Sequence, residues 1–478
     1  MKFERPRLET CPAPPLFKAP RPFNPGVSKI GLAKMLLQEV IESGIELRHK
    51  ELRKALLSRP CIYGVFGSKV GGFHPIREKC TGCLRCVQEY PEICKVDRNP
   101  EFFTLGDSYW IPDTELTSTT PLSTVWYEAE TGKIPVRGMG YKGFFTGSGW
   151  DSMWTDMSEI VRPTRDGVYG REFISTVVDL GRKPRFVELQ GGGSQEEARI
   201  TTIPFPIIFD LLPPSLSNPS IRAAVAEASK RLGTFYIASL DDELGSHRPL
   251  SHNLIPLVTP RDFQQHQETL ESASVIEYQY DEGLSLSGIR ESIKKPILAA
   301  RLPLNSAAEE TTLKLANEGF DIIHICADYH GREYEPRNPR HIVDAIRAVH
   351  TKLVKESIRD EVTLIGSGGI ILAEHIPKAI VCGLDAVAID TTVPVALQAK
   401  FEGECVSPEK GRIKPYEFGA AWGTQRLENL LASWHDQLIE VLSAMGMRDV
   451  RRLRGDVGRA MFNEELEREA FGDIQRLA

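Results

Sequence analysis

From about residue 200 onward, short apolar runs alternate with longer amphipathic stretches. The apolar runs fall at 203–209, 234–239, 254–258, 275–280, 297–302, 321–327, 362–366 and 386–390. Compact runs of this kind, rich in branched aliphatic residues, predict strands buried on both faces. Stretches with apolar positions at helical spacing follow at 220–232, 261–272, 287–294, 307–317, 339–358, 373–381 and 393–400. Only the second strand lacks a following helix, because residues 241–253 are polar and irregular. Eight strands, nearly all followed by helices, over about 200 residues predict an α/β fold, a (β/α)8 TIM barrel and not an open doubly wound sheet.

Elsewhere the pattern is weaker, and it divides the chain. Residues 1–27 are proline-rich and predict an extended arm that wraps over another surface. Residues 28–58 carry Ile30, Leu32, Leu36, Leu37, Val40 and Ile41 near helical spacing, with Ser28 as an N-cap and a break near Gly44. Residues 59–190 hold a cysteine cluster and then a turn-rich lead-in with Trp110, Trp126, Trp150 and Trp154. The barrel is assigned to 191–410. A C-terminal helical extension occupies 411–478, where Leu427, Leu430, Leu431, Trp434 and Leu438 mark a face that packs against the outside of the barrel.

Composition narrows the class. With 478 residues, 41% of them hydrophobic and 26% charged, the chain has the profile of a globular protein with a large core. A formal charge of -7 disfavours nucleic acid and anionic membranes as partners. Neither a membrane-length apolar run nor an N-terminal signal core is present, so no membrane insertion and a cytoplasmic location are expected. Of nine cysteines, Cys80, Cys83, Cys86 and Cys94 crowd together, which suits a metal site in a reducing compartment better than a disulfide framework.

Three groups of residues suggest chemistry. Cys80, Cys83 and Cys86 have the C-x2-C-x2-C spacing of a ferredoxin-type loop, whose thiolates wrap one face of a cubane. Zinc is the rival, and the fourth ligand is either Cys94 or Cys61, since the usual proline after it is absent. Ser367, Gly368 and Gly369 end the seventh strand, and Asp390, Thr391 and Thr392 end the eighth. Small and hydroxyl residues at those two adjoining strand ends form a phosphate cradle in barrels of this type. The other strand ends offer Ser239, Glu277, Gln279, Arg301, Cys326 and Asp328, with His330 in the loop after the sixth strand as a proton-transfer candidate. His324 lies inside that strand and reads as a hydrogen-bonded interior histidine. Gly138, Gly140 and Gly143 spell G-x-G-x-x-G, but no βαβ unit surrounds them, so a nicotinamide site is not expected.

With these residues in view, the chain resembles the glutamate synthase family, in particular archaeal-type and stand-alone relatives of its synthase domain. The stretches that carry the resemblance are GSGGI and AVAID-T of the last two units, PIIFDLLPPSLSNPSIRAAVAEASKRLGT of the first and KKPILAARL of the fifth. TGKIPVRGMG and LGRKP of the lead-in add to it. The resemblance implies FMN in the barrel, its phosphate near Ser367, Gly368, Gly369 and Thr391, and a [4Fe-4S] cluster that supplies or removes its electrons. By the resemblance Arg301 stands where the family has a lysine; from their places at the strand ends and loop, Arg301 is the cation expected beside a flavin's pyrimidine edge, and Arg301, Asp328 and His330 are the catalytic candidates. Two departures point away from glutamate as product. Tyr329-His330-Gly331-Arg332-Glu333-Tyr334 replaces a small glycine loop, and Ser239-Leu240-Asp241-Asp242-Glu243 replaces a glycine-rich turn.

The expected function is therefore a glutamate synthase-like flavin and iron-sulfur oxidoreductase subunit acting on a changed substrate. Its expected electron donor is a ferredoxin or a pyridine-nucleotide reductase subunit, within a homo- or hetero-oligomer. An ammonia- or amine-dependent synthase is one alternative. Another is a scaffold or electron-relay subunit that has lost FMN.

Overall fold

A computed structural model describes residues 8–17, 23–43, 61, 63–66, 75–80, 82–99, 119–135, 149–155, 173–184, 198–216, 218–240, 251–281, 286–293, 295–334, 337–402 and 412–462. The G-x-G-x-x-G segment, Trp110, the helical stretch beyond residue 43 and most of the irregular stretch 241–253 lie outside these residues.

Eight parallel strands close into a barrel: β1 (Ile207–Phe209), β2 (Tyr236–Ser239), β3 (Leu254–Val258), β4 (Val275–Gln279), β5 (Ile297–Pro303), β6 (Ile322–Cys326), β7 (Thr363–Ser367) and β8 (Ala386–Ile389). The chain is thus an α/β TIM barrel. Every residue of β1, β6, β7 and β8 is buried, as the unbroken apolar runs require of strands covered on both faces. Helices Pro219–Leu232, Ala308–Glu318, Ile342–Lys355 and His375–Cys382 lie within a residue or three of their expected limits.

Three elements differ from expectation. The first run divides at Pro204 and Pro206, which cannot donate to a ladder. Its first residue, Ile203, ends a separate strand, Arg199–Ile203, that pairs antiparallel with Val178–Arg182. That ladder is fixed to the start of β7, where the Thr363 hydroxyl bonds the Gly181 N–H and C=O at 3.0 and 2.8 Å, so it caps the barrel's N-terminal end. The stretch 261–272 forms two short helices, Pro260–Gln265 and Gln267–Leu270. After β8 the helix covers only Thr392–Ala396, because Gln398 adopts a left-handed φ of 57° and the chain enters a strand at Lys400–Glu402.

The C-terminal helix, Ala420–Ala444, packs along helix Pro219–Leu232 and along Thr119–Thr131, a helix whose periodicity the turn-rich lead-in conceals. The N-terminal arm lies against it: Asn429 Nδ2 donates to the Cys11 carbonyl at 2.7 Å and Trp422 Nε1 to that of Pro14 at 2.7 Å. Arg426 fastens these layers from within. It is fully buried and donates to the carbonyls of Ala396 at 2.6 Å and Ala13 at 3.0 Å. Burial draws its pKa down to about 10. No described helix is long and apolar enough to cross a membrane. Arg426→Met should cost about 3 kcal/mol in urea unfolding, since it strands several buried carbonyls. It should also speed proteolysis at residues 8–17; an unchanged cleavage rate would mean that the arm is held by other contacts.

Candidate functional site

Polar side chains gather inside the C-terminal half of the barrel because parallel pairing aligns them. Register sets Arg301 beside His324, Arg301 beside Gln279, and Cys326 beside Ser367. Next to this row, Asp210 follows the last residue of β1 and Asp390 the last of β8; Phe209 pairs with Ile389, and the Asp210 N–H donates to the Ile389 carbonyl at 2.9 Å. The two carboxyl groups are therefore neighbours on adjacent strands.

Arg301 is held by carboxylates on two sides. Its guanidinium grips Asp210 through two bonds of 2.7 and 3.1 Å and reaches Glu277 at 3.3 Å. Glu277 in turn takes a 2.5 Å bond from His324 Nδ1. Burial acts to raise the Asp210 pKa, but the charges of Arg301 and His324 hold it well below the usual carboxylate range. For His324, burial opposes the charge, yet Cys326, Glu277 and Asp210 outweigh it and raise the pKa to about 10. As an imidazolium, His324 makes the group neutral, two cations against two carboxylates. Its Nε2 is buried with no hydrogen-bond partner among the described residues. Asp390 shifts the other way, raised to about 7 by burial and by the charge of Asp210.

Beside this cluster, the ends of β7 and β8 form the expected loops. Gly368 and Gly369 take φ of 95° and 69°. A Cβ on Gly368 would stand 2.5 Å from the Asp328 carbonyl, and one on Gly369 2.7 Å from Gly331. Only glycine permits these approaches, which press the loops after β6 and β7 backbone to backbone. Trp150 Nε1 donates to the Gly369 carbonyl at 3.0 Å and the Thr392 hydroxyl to that of Ile370 at 2.8 Å, so the carbonyls are tied back. Peptide planarity then directs the Ile370 N–H away from Trp150. At the end of β8, however, the Thr391 N–H and hydroxyl both donate to Asp390 Oδ1, at 2.5 and 3.1 Å.

The other sequence candidates separate into two groups. Asp328 Oδ1 accepts the N–H groups of His330 and Arg332, both at 2.8 Å, so this carboxylate organises its own loop. His330 is buried in the same turn and not displayed to solvent. Ser239 lies by an apolar pocket between β2 and helix Pro219–Leu232, lined by Leu212, Leu216, Val225 and Tyr236. Gln279 is half-buried at the rim beside Arg301. Asp210 and Tyr334, whose hydroxyl donates to the Ala327 carbonyl at 3.1 Å, escape the sequence reading. Asp210 carries a usable signal, since it directly follows an apolar strand just as Asp390 does.

In the N-terminal segment, Cys86 and Cys94 are buried in a small core against which Cys61 and Cys80 pack. Cys83 lies beside Cys80, between Gly82 and Leu84, whose φ of 71° and 57° bend the loop. Burial raises the Cys80 thiol to about 11, the form a thiol keeps without a metal. The donors have the chemistry an iron-sulfur cluster requires, although among the described residues no three His, Cys, Asp or Glu side chains are already gathered around one point.

The charge balance yields a pH test. A folded pKa of about 10 for His324, against 6.5 ordinarily, contributes stability that is complete below about pH 6.5 and lost as pH rises toward 10. Glu277→Gln should therefore cost about 3 kcal/mol near pH 6, with the gap to wild type closing toward pH 10. A gap independent of pH in urea unfolding would mean that His324 is neutral throughout.

Comparisons with known proteins bear on this same region. A family model described as the conserved region in glutamate synthase matches residues 339–409, which include β7, β8 and the cradle. The archaeal-type glutamate synthase [NADPH] of Dehalococcoides mccartyi is 24% identical over 448 residues, covering 79% of this chain and 86% of the relative. The archaeal glutamate synthase [NADPH] of Methanocaldococcus jannaschii is 35% identical over 123 residues, 23% of each chain. Among solved structures, the flavin-binding domain of baker's yeast flavocytochrome b2 aligns with a TM-score of 0.44 at 10% identity, over 76% of this chain and 85% of that one. The chain is thus similar to glutamate synthases in its conserved region, residues 339–409, and at lower identity over most of its length.

Proposed function

We propose that this chain is a glutamate synthase-like oxidoreductase subunit that holds FMN at the C-terminal mouth of its barrel and a [4Fe-4S] cluster on Cys80, Cys83, Cys86 and Cys94. The observation that carries the reading is the meeting, at one end of the barrel, of a buried ionic cluster and a two-loop cradle inside the region that matches the family. Relatives that span most of the chain are named as NADPH-dependent glutamate synthases, which supports redox chemistry.

When bound, FMN would take electrons in pairs and exchange them singly with the cluster. Around it, Ser367, Gly368, Gly369 and Thr391 would hold the phosphate, and Ser239 and Gln279 would stand at the rim. The protonated Nε2 of His324 is the strongest available donor, because its bond to Glu277 fixes both ring orientation and charge. Arg301 contributes positive potential that Asp210 and Glu277 largely cancel, so its effect on a reduced ring is weaker than that of a lone cation. Proton transfer falls more naturally to His324 or Asp390 than to His330 or Asp328, which are occupied within their own turn.

The substrate is proposed to differ from that of the synthases. The loop after β6 is braced by ion pairs of Arg340 with Glu333 at 2.7 Å and Glu309 at 2.6 Å, and Tyr334 is anchored over the strand end. Such a loop gives a substrate bulk and charge where a glycine loop gives amides and space. A donor of the ferredoxin or pyridine-nucleotide reductase kind would supply the electrons.

Protein purified without oxygen should show flavin absorbance and release FMN on denaturation. A flavin-free protein would favour the scaffold reading. Cys83→Ser should lose iron and sulfide while the barrel keeps its far-ultraviolet circular dichroism; full iron retention would place the cluster elsewhere. Glutamate formed from 2-oxoglutarate, ammonia and reduced ferredoxin would overturn the changed substrate.

A further inference from the structure

The cradle at the ends of β7 and β8 already contains an anion belonging to the chain. Three donors cluster at the start of the last loop: the Thr391 N–H, the Thr391 hydroxyl and the Thr392 hydroxyl. Asp390 Oδ1 accepts the first two and the Ile370 carbonyl the third. A phosphate seated between the loops would need the same Thr391 donors, and it would bring its charge against a carboxylate that is almost wholly buried. Two anions cannot share one small set of donors in a buried site unless one of them is neutralised.

We propose that Asp390 makes the cradle proton-linked, so that a ligand's phosphate enters only as Asp390 gains a proton and releases Thr391. At alkaline pH the site then prefers the same ligand ending in a hydroxyl. This rests on the reading of the mouth as a flavin site, and it adds a specificity-determining residue to that site.

The surroundings make Asp390 the group that yields. Asp210, its neighbour on β1, is locked by the Arg301 fork and stays ionised. Arg301 is turned to Asp210 and Glu277 and makes no ion pair with Asp390. His324 is committed through Nδ1 to Glu277. From the loop after β6, Asp328 and the Tyr334 phenol add no positive charge, and β7 contributes the neutral Ser367. Asp390 is thus a buried carboxyl that no described cation pairs, held instead by the Thr391 N–H and hydroxyl.

The test compares FMN with riboflavin, which differ only in the phosphate. Full-length protein stripped of flavin is titrated with each by fluorescence quenching between about pH 6 and pH 8.5, as wild type and as Asp390→Asn. Wild type should lose about tenfold or more in FMN affinity across that range while riboflavin binding stays level. The Asn variant should bind FMN about tenfold more tightly than wild type at the alkaline end, keeping only the slope of the phosphate's own ionisation near pH 6. Riboflavin binding by the variant reports that it is folded. Parallel FMN curves for wild type and variant would overturn the role of Asp390 and leave the flavin site standing. Failure of both flavins to bind either protein at any pH would overturn the flavin site, and this inference with it.

Discussion

A charge placed inside a closed barrel must find its counter-charge there, and Arg301 meets that requirement by drawing in carboxylates from two other strands. Asp210 comes from β1 and Glu277 from β4, and Glu277 then recruits His324 from β6. Four strands are thereby linked through side chains as well as through their ladders. Replacing the set by apolar residues of equal volume would cost little stability, since buried pairs seldom repay their desolvation. The set lies in the C-terminal half of the barrel, the end at which barrels of this kind carry their active sites. The set sums to neutrality, so the Arg301 guanidinium is not a bare cation in the barrel.

The second constraint is steric. Gly368 and Gly369 let the loop after β7 lie directly on the loop after β6, so the two loops form one structure. Trp150, from the lead-in, fixes the outer side of that loop through the Gly369 carbonyl, while its own carbonyl accepts a 2.6 Å bond from Lys378 and its ring stacks on His375. An irregular segment outside the barrel thus helps to set the geometry of the site within it.

Much of this was legible in the sequence. All eight barrel strands appear as apolar runs, and β3 matches its expected limits to the residue, because a strand buried on both faces leaves no periodicity to misread. The failures have local causes. Prolines 204 and 206 interrupt a run that hydrophobicity alone joins together, and the left-handed Gln398 ends a helix inside an apolar stretch. At the site, single residues were found more readily than their relations. Arg301, Glu277 and Asp390 could be named from strand ends, but their partners depend on the register of strands distant in sequence. Asp210 lies 91 positions from the arginine it neutralises. Asp328 and His330 looked functional for the opposite reason: polar loop residues resemble reactive ones until their bonds within the loop are seen.

The loop after β6 carries the difference from the synthases furthest. Gly331 takes a φ of 73° with His341 packed against it, Asp328 caps the turn, and Arg340 ties Glu333 to Glu309 on the preceding helix, Ala308–Glu318. Each contact alone is modest at a partly exposed position. Together they fix the loop on both flanks, so it cannot relax into a small, amide-lined pocket without breaking several bonds at once. Tyr334 is held at this end of the barrel by its bond to the Ala327 carbonyl. The bulk and charge of this loop are therefore built into the fold and not into one movable side chain.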